Sequence, residues 1–541
     1  MSANAVNLTI DGKPASINSG ATILQAARAA GVDIPTMCHC EKNAVTPIAC
    51  FVCVVKVGGN ETFVPSCATV VHDGMVVDAA SEDVLNCRRR ALELMLSEHA
   101  GDCYAPCSRI CPCGLDIPEM IRRLLSDDIN AAVKIIRHNL PLPATLGHIC
   151  SAPCQKGCRR ASLDKSVSIR QIHKAIATYD IDNAASTHDK NPQITAKSKH
   201  IAIIGSGPAG LSSAYFLANA GYQCKLFESQ PQIGGSLRSQ FDESTLPKKI
   251  LDADIESIAK MGVTFITGKK IFSIDDIYND YDAIIVTTGL PDSNQRPFNL
   301  EHDSHGIKIC HDTFAASRPK VFACGSAVRP ITLAARSAGQ GKSLSMAVDS
   351  YLSGDEPMRK PFSMSTGHLS TAEINSLGSS IPHTNNQKLS TALSSRNPKI
   401  SNPADTVNTA NAIDTSDVID IIIDSARCLA CDCVKKDSCK LKDYATQYAA
   451  HHLRYATGRR KRYTRQTYAS GLIHEPGKCI ACGKCVSITA QRNITPGLAL
   501  TGRGADVCVS APFGTPIDKA MGDALTDCVA ACPTGALSLR P

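Results

Sequence analysis

The period of apolar and polar positions shifts along the chain, and each shift marks a change of architecture. Val6-Asn7-Leu8-Thr9-Ile10 alternates like a half-buried strand, Asp11-Gly12-Lys13-Pro14 is a turn, and Ile23, Leu24, Ala27 and Ala30 recur at helical spacing. Residues 1–90 are therefore predicted to form a small β-rich domain. Residues 91–195 alternate helical stretches with cysteine triplets, whereas 196–354 run strand, Gly-rich turn, helix, strand, the order of an α/β domain. Residues 355–415 are rich in Ser, Thr and Asn with little apolar periodicity and are predicted to be a linker. A second cysteine-rich domain fills 416–541. The expected fold class is a multidomain chain, α+β and α/β.

A chain of 541 residues is long enough for several cores. Its net charge of +7 is spread out, apart from Arg459-Arg460-Lys461-Arg462, which reads as a solvated face or partner contact rather than a nucleic-acid site. No stretch approaches the ~18 consecutive apolar residues of a membrane span, and the N-terminus lacks a basic-then-apolar signal layout. The expectation is a soluble, cytoplasmic protein that binds no nucleic acid. Cysteine changes the picture most: 26 of them sit in tight clusters on a long chain, where thiols read as metal or iron–sulfur ligands rather than disulfides.

Cys38, Cys50, Cys53 and Cys67 follow C-x11-C-x2-C-x13-C. One close pair with two flanking thiols suits a 2Fe-2S cluster, while structural zinc usually pairs two C-x2-C knuckles. With Ile34-Pro35-Thr36-Met37 before it, the segment resembles the 2Fe-2S domain, a ferredoxin-like β-grasp, that opens the large Fe–S subunit of complex I and of related hydrogenases and formate dehydrogenases. Cys40 is left over as a spare thiol.

Cys103, Cys107 and Cys111 form one C-x3-C-x3-C triplet, and Cys150, Cys154 and Cys158 a second. Their surroundings, Asp102-Cys103-Tyr104-Ala105-Pro106-Cys107 and Gly147-His148-Ile149-Cys150-Ser151-Ala152-Pro153-Cys154, resemble the helical two-cluster domain of the glutamate synthase small subunit and of dihydropyrimidine dehydrogenase. That resemblance implies two 4Fe-4S clusters that share the triplets: Cys103, Cys107 and Cys158 on one, Cys111, Cys150 and Cys154 on the other. It also places a ligand on the following helix, at His173. For the remaining position the candidates are His99, which stands H-x3-C before Cys103, and Cys113, with His99 preferred.

His200-Ile201-Ala202-Ile203-Ile204 runs into Gly205-Ser206-Gly207-Pro208-Ala209-Gly210 and then a helix. The glycines allow a tight turn and close approach of a pyrophosphate at a helix N-terminus, and Glu228, ending the next strand, is placed to accept from ribose hydroxyls. Gly234, Gly235, Leu237 and Arg238 continue a resemblance to the glutamate synthase small-subunit flavoprotein, as do Gly289, Gly325 and Ser326 on its returning strands. The resemblance implies a Rossmann-like FAD domain. It has Asp where Ser326 stands, which touches the flavin's ribityl chain, so flavin affinity or potential is expected to differ here. Only 35 residues separate Gly289 from Gly325 and no second glycine fingerprint occurs, too little chain for the family's nicotinamide domain.

Near the C-terminus, Cys428, Cys431, Cys433 and Cys439 offer four thiols, and Cys479, Cys482 and Cys485 form C-x2-C-x2-C with Cys532-Pro533 remote. Three ligands on one loop and a distant Cys-Pro are a strong 4Fe-4S signal, with Cys528 a competing fourth ligand and Cys508 unassigned. The stretch resembles the second cluster-bearing part of the complex I large Fe–S subunit. Together these readings predict 2Fe-2S, about four 4Fe-4S and FAD in an electron-transfer subunit with no catalytic residues of its own. It would relay electrons between an NAD(P)H- or ferredoxin-linked partner and a catalytic oxidoreductase within a multisubunit complex. The alternative is a self-sufficient NAD(P)H-dependent oxidoreductase of the glutamate synthase type.

Overall fold

A computed structural model describes residues 5–40, 48–58, 62–183, 196–290, 297–355, 361–378, 415–456 and 460–540. The chain divides into two compact units, one of residues 1–104, 359–378 and 431–541, the other of residues 105–358 and 379–430.

The first unit opens on a five-stranded sheet in the order β2-β1-β5-β3-β4: β1 is Ala5–Ile10, β2 Lys13–Asn18, β3 Val54–Val57, β4 Phe63–Pro65 and β5 Met75–Asp78. β1 and β2 are an antiparallel hairpin, and β1 pairs with β5 in parallel. Leu8 and Ile10, alternating along β1, are buried with Ile23 and Leu24 of the helix Ile23–Ala29. Thr22 caps that helix, accepting from the Gln25 N–H while the Gln25 side chain accepts from the Thr22 N–H, so two orphan donors are satisfied at once. The helix Glu82–Glu98 follows.

The second unit contains a five-stranded parallel sheet, β10-β9-β6-β7-β8, formed by His200–Ile204 (β6), Gln223–Phe227 (β7), Thr264–Ile266 (β8), Ala283–Val286 (β9) and Val321–Ala323 (β10). Four residues of β6 and all of β9 are buried, as both faces of a covered parallel sheet require. The helices Pro208–Asn219 and Ala334–Ser353 pack closely on each other because Gly341 has no side chain: a Cβ there would lie 2.4 Å from the Ala209 carbonyl oxygen. Among the described residues between β9 and β10 there is one 3-10 turn, Pro297–Asn299, and isolated bridges at His302 and Ala315. Short helices bearing the cysteine triplets, with Ile117–Leu125, Ile129–Asn139 and Ile169–Asp182, share one core with this sheet.

The remainder of the first unit holds the sheet β11-β12-β15 (Gln466–Thr467, Leu472–His474, Leu537–Leu539) and the hairpin β13-β14 (Ala499–Thr501, Cys508–Ser510). Two expectations need correction here. Residues 361–378 are not linker: Met364 is buried in the first unit's core, the Phe362 N–H donates to Thr446 Oγ1 at 2.9 Å, and Ser370 and Glu373 form a capping box on the helix Thr371–Ser376. Polar composition hid them because their buried apolar residues, Met364, Leu369, Ile374 and Leu377, are few and follow no strand or helix period. The linker residues 379–414 lie outside the described residues. The basic run is only in part a solvated face, with Arg462 exposed. Arg460 bonds both oxygens of Glu373, at 2.8 and 3.1 Å, and Lys461 Nζ donates to the Cys479 and Val507 carbonyls. Arg459 lies outside the described residues.

No helix of the described residues is long and apolar enough to cross a membrane.

Candidate functional site

The thiols of Cys38, Cys50, Cys53 and Cys67 come together under the first sheet, all buried. Cys38 Sγ lies 3.4 Å from Cys50 Sγ. Hydrogen bonds from the Cys50 and Cys67 thiols hold Cys38 below the ordinary thiol range, and a bond from Cys67 holds Cys53 down to about 6. The same bonds raise the Cys50 and Cys67 thiols, so the four hold their protons unequally.

In the second unit the helix Pro106–Ile110 packs on Pro153–Lys156, where a Cβ on Gly157 would lie 2.2 Å from Ile110 Cδ1. This contact brings Cys111 to Cys150 and Cys154: burial raises both of the latter thiols, and the neighbouring Cys111 raises them further. Cys113 is buried beside Cys111 and Cys150, donating to the Ala335 carbonyl at 3.4 Å. His173 sits on the helix Ile169–Asp182 with Nε2 buried and without a hydrogen-bond partner, while the Pro143 carbonyl holds the ring. Burial pushes its pKa down to about 4, so the imidazole is neutral with a lone pair to give, the arrangement of a ligand fixed from behind.

Cys103 falls in the other of the two units. It belongs to the first unit, where its N–H donates to the Met364 carbonyl at 3.1 Å and its carbonyl accepts from the Cys433 N–H at 3.4 Å. Burial raises the Cys439 thiol to about 12, with Cys433 and Cys103 as charged neighbours. Within the first unit, then, Cys103 lies with Cys433 and Cys439. The chain leaves the first unit after residue 104 and returns at 431, so within that unit thiols distant in sequence meet. His99 lies in the same unit, fully buried with Nδ1 unpartnered, and burial together with Lys478 and Lys461 pushes its pKa down to about 3. Cys428 instead joins the core of the second unit, against which Cys107 and Cys158 pack. Cys431 lies in the first unit near Arg465.

Cys479, Cys482, Cys485 and Cys532 converge at the C-terminal end: burial raises Cys485, and Cys482, Cys532, Cys528 and Cys479 raise it further. Cys528 is fully buried with its thiol directed to the Cys485 carbonyl at 3.7 Å. Among the described residues no three His, Cys, Asp or Glu groups close around a single point as one bare ion would need.

At the second unit's glycine turn, Gly205 adopts φ 103°, and a Cβ on Gly210 would lie 1.9 Å from the Gly205 carbonyl oxygen. Pro208 opens the helix and Gly207 leaves its first N–H groups without a side-chain cap. Glu228 is buried at the end of β7; one oxygen accepts from the Ser206 N–H at 3.0 Å and the other from the Gln230 N–H at 2.8 Å. Burial pushes this carboxyl up, but the bonds from Ser206 and Gln230 outweigh it and keep the group ionised below its usual range. Gly235 packs on Gly207, Leu237 is buried and Arg238 bonds Ile233 and Asp252. Gly289 holds φ 85° in open space, Gly325 donates to Gln340 Oε1 at 2.9 Å, and Ser326 Oγ bonds the Ile331 N–H. One residue before Gln340, a Cβ on Gly339 would lie 2.2 Å from the Pro112 carbonyl oxygen, so the Cys111-Pro112-Cys113 loop rests directly on the helix behind the glycine turn. Sequence spacing gave no sign of this contact, nor of the buried Glu475 and Lys478.

Residues 3–82 match the family model of the 2Fe-2S iron–sulfur cluster binding domain, residues 91–185 that of dihydropyrimidine dehydrogenase domain II, 4Fe-4S cluster, and residues 166–341 that of pyridine nucleotide-disulphide oxidoreductase. Similar curated proteins include the NADPH-Fe(3+) oxidoreductase subunit beta of Geobacter sulfurreducens, 35% identical over 38% of this chain and 30% of the relative. The NADP(+)-dependent formate dehydrogenase subunit beta of Moorella thermoacetica is 32% identical over 37% of this chain and 32% of the relative. The NAD-dependent dihydropyrimidine dehydrogenase subunit PreT homolog of Salmonella typhi is 31% identical over 40% of this chain and 52% of the relative. The matches thus span about a third to a half of those relatives. The chain carries, in order, a 2Fe-2S cluster-binding domain, a 4Fe-4S domain of the dihydropyrimidine dehydrogenase type and a pyridine nucleotide-disulphide oxidoreductase domain.

Proposed function

We propose that the chain is an electron-relay subunit of a cytoplasmic multisubunit oxidoreductase, passing electrons between an NAD(P)H- or ferredoxin-linked partner and a catalytic partner. The observation that carries the reading is a single apolar core of the first unit. It contains Cys38, Cys50 and Cys439, with Cys103 and Cys482 packed against it, so thiols of three sites border one another through one medium. A relay needs its stations near each other and shielded from water.

On this reading a ferredoxin-like β-grasp domain holds 2Fe-2S on Cys38, Cys50, Cys53 and Cys67. Cys479, Cys482, Cys485 and Cys532 hold one 4Fe-4S cluster, and His99, Cys103, Cys433 and Cys439 a second. In the second unit Cys111, Cys150 and Cys154, with His173, hold a third, and Cys107, Cys158 and Cys428 contribute to a fourth. FAD lies on the Gly205–Gly210 turn with its ribose at Glu228, the place where two-electron and one-electron transfers meet when it is bound. The family matched by residues 166–341 is named for pyridine nucleotide chemistry, which favours the second reading, a self-sufficient NAD(P)H oxidoreductase. The short chain between β9 and β10 argues against it: residues 287–320 amount to about one βαβ unit, whereas a dinucleotide-binding domain is built from two βαβαβ halves.

Anaerobic iron, sulfide and flavin analysis tests the reading: one 2Fe-2S and four 4Fe-4S clusters require about 18 iron atoms and one FAD per chain. Ten or fewer irons with near-stoichiometric zinc would refute it.

A further inference from the structure

We propose that Lys478 is a positioning residue whose buried charge sets the reduction potential of the centre at Cys103, Cys433 and Cys439; the inference rests on reading that site as a cluster site. Lys478 is 1% exposed. Its stem runs along the backbone of Gly101, between His99 and Cys103, where a Cβ would lie 2.6 Å from Lys478 Cε. At its tip stands Gly535. A Cβ on Gly535 would lie 2.4 Å from Cys433 Sγ and 3.7 Å from Lys478 Nζ, so ammonium and sulfur face each other across a missing side chain. Two glycines therefore make the slot that carries this cation to the thiol.

Glu475 is the second half of the device. Lys478 Nζ donates to Glu475 Oε2 at 2.5 Å, and Arg465 Nε donates to Oε1 at 3.2 Å, all three side chains being buried. Two cations thus share one carboxylate. Burying a charge carries a penalty of several kcal/mol unless opposite charge is close, and a centre held by thiolates brings negative charge to that place. Reduction adds an electron to an already anionic group. A fixed cation in a low-dielectric pocket stabilises the reduced form more than the oxidised one, so Lys478 raises the potential and Glu475 lowers it. The C-terminal site is a built-in control: Lys461, not Lys478, donates to the Cys479 carbonyl, at 2.7 Å.

The test is an anaerobic redox titration of the full chain followed by EPR. Cys433→Ser first identifies the signal; if that variant loses neither iron nor an EPR component, the cluster reading itself fails. With the signal identified, Lys478→Met is expected to disfavour the reduced form at least tenfold, 59 mV more negative for a one-electron couple. Glu475→Gln should move the midpoint the opposite way, and Lys478→Arg should leave it near wild type. A merely structural role would not give opposite signs. Unchanged midpoints, or shifts of one sign in Lys478→Met and Glu475→Gln, overturn the proposal. Should Lys478→Met lose the centre, the sign of the Glu475→Gln shift decides alone, a positive one supporting the proposal and any other refuting it.

Discussion

Two thiol sites of the first unit contrast sharply. Cys38, Cys50, Cys53 and Cys67 come from one short stretch, and their spacing announced the nest that the fold assembles. Cys103 meets Cys433 and Cys439 only because the chain departs after residue 104 and returns at 431 with its ends side by side, Cys433 N–H to Cys103 carbonyl at 3.4 Å. Closing a longer loop costs entropy only logarithmically, and domain termini commonly lie close together. A whole unit can therefore be interposed in a site without disturbing its geometry, and with that interposition the spacing signal disappears.

The largest expected effect breaks or confirms this contrast directly. Cys103→Ser and Cys433→Ser should each lose the same 4Fe-4S component, about four irons, and the double variant should lose no more than either. Cys107→Ser should lose a different component. Iron analysis with EPR distinguishes the two groupings: if Cys103→Ser and Cys107→Ser remove one shared signal that Cys433→Ser keeps, the triplet spacing was the true guide.

A smaller effect sharpens the contrast between cluster sites and the glycine turn. Glu228→Gln should weaken FAD retention by ~1–3 kcal/mol, the worth of a hydrogen bond to a charged group, with iron content unchanged. Flavin released on gel filtration, quantified against wild type, reads it out.

The last concerns stability of the second unit. Asp254 is fully buried and accepts from the Thr145 N–H at 2.7 Å, yet burial raises its pKa to about 7. The folded carboxyl thus keeps a proton that the unfolded one, near 3.9, releases. Asp254 therefore contributes stability that is lost as pH rises from about 4 to 7, by up to ~1.4 kcal/mol per unit, opposite in sign to the contribution of His173, whose lowered pKa makes it gain over that range. The difference between wild type and Asp254→Asn in denaturant titrations across that range should show the Asp254 contribution alone.

Much of this molecule was legible from sequence. Alternation in Val6–Ile10 and the helix at Ile23 marked the first sheet, and Gly205, Gly210 and Glu228 marked the turn that the parallel sheet presents. Local periodicity and turn chemistry suffice where every participant lies within one supersecondary unit. They fail where partners are remote. Residues 361–378 look like linker because their buried apolar residues are few and irregularly spaced, while their backbone N–H groups bond Asp102, Cys103 and Thr446. Glu475 and Lys478 look like surface residues of an ordinary loop until burial and the glycines at 101 and 535 reveal the slot. Arg460 and Lys461 read as exposed charge for the same reason, since nothing in their neighbourhood in sequence names Glu373.

The relay account is tested most directly by adding NADH or NADPH, and separately dithionite, to the purified chain under anaerobic conditions while following flavin and cluster absorbance. The account predicts bleaching by dithionite alone, with nicotinamide-driven reduction restored only when a nicotinamide-oxidising partner is added. Rapid reduction by NADH or NADPH without any partner would contradict it and establish a nicotinamide site on this chain.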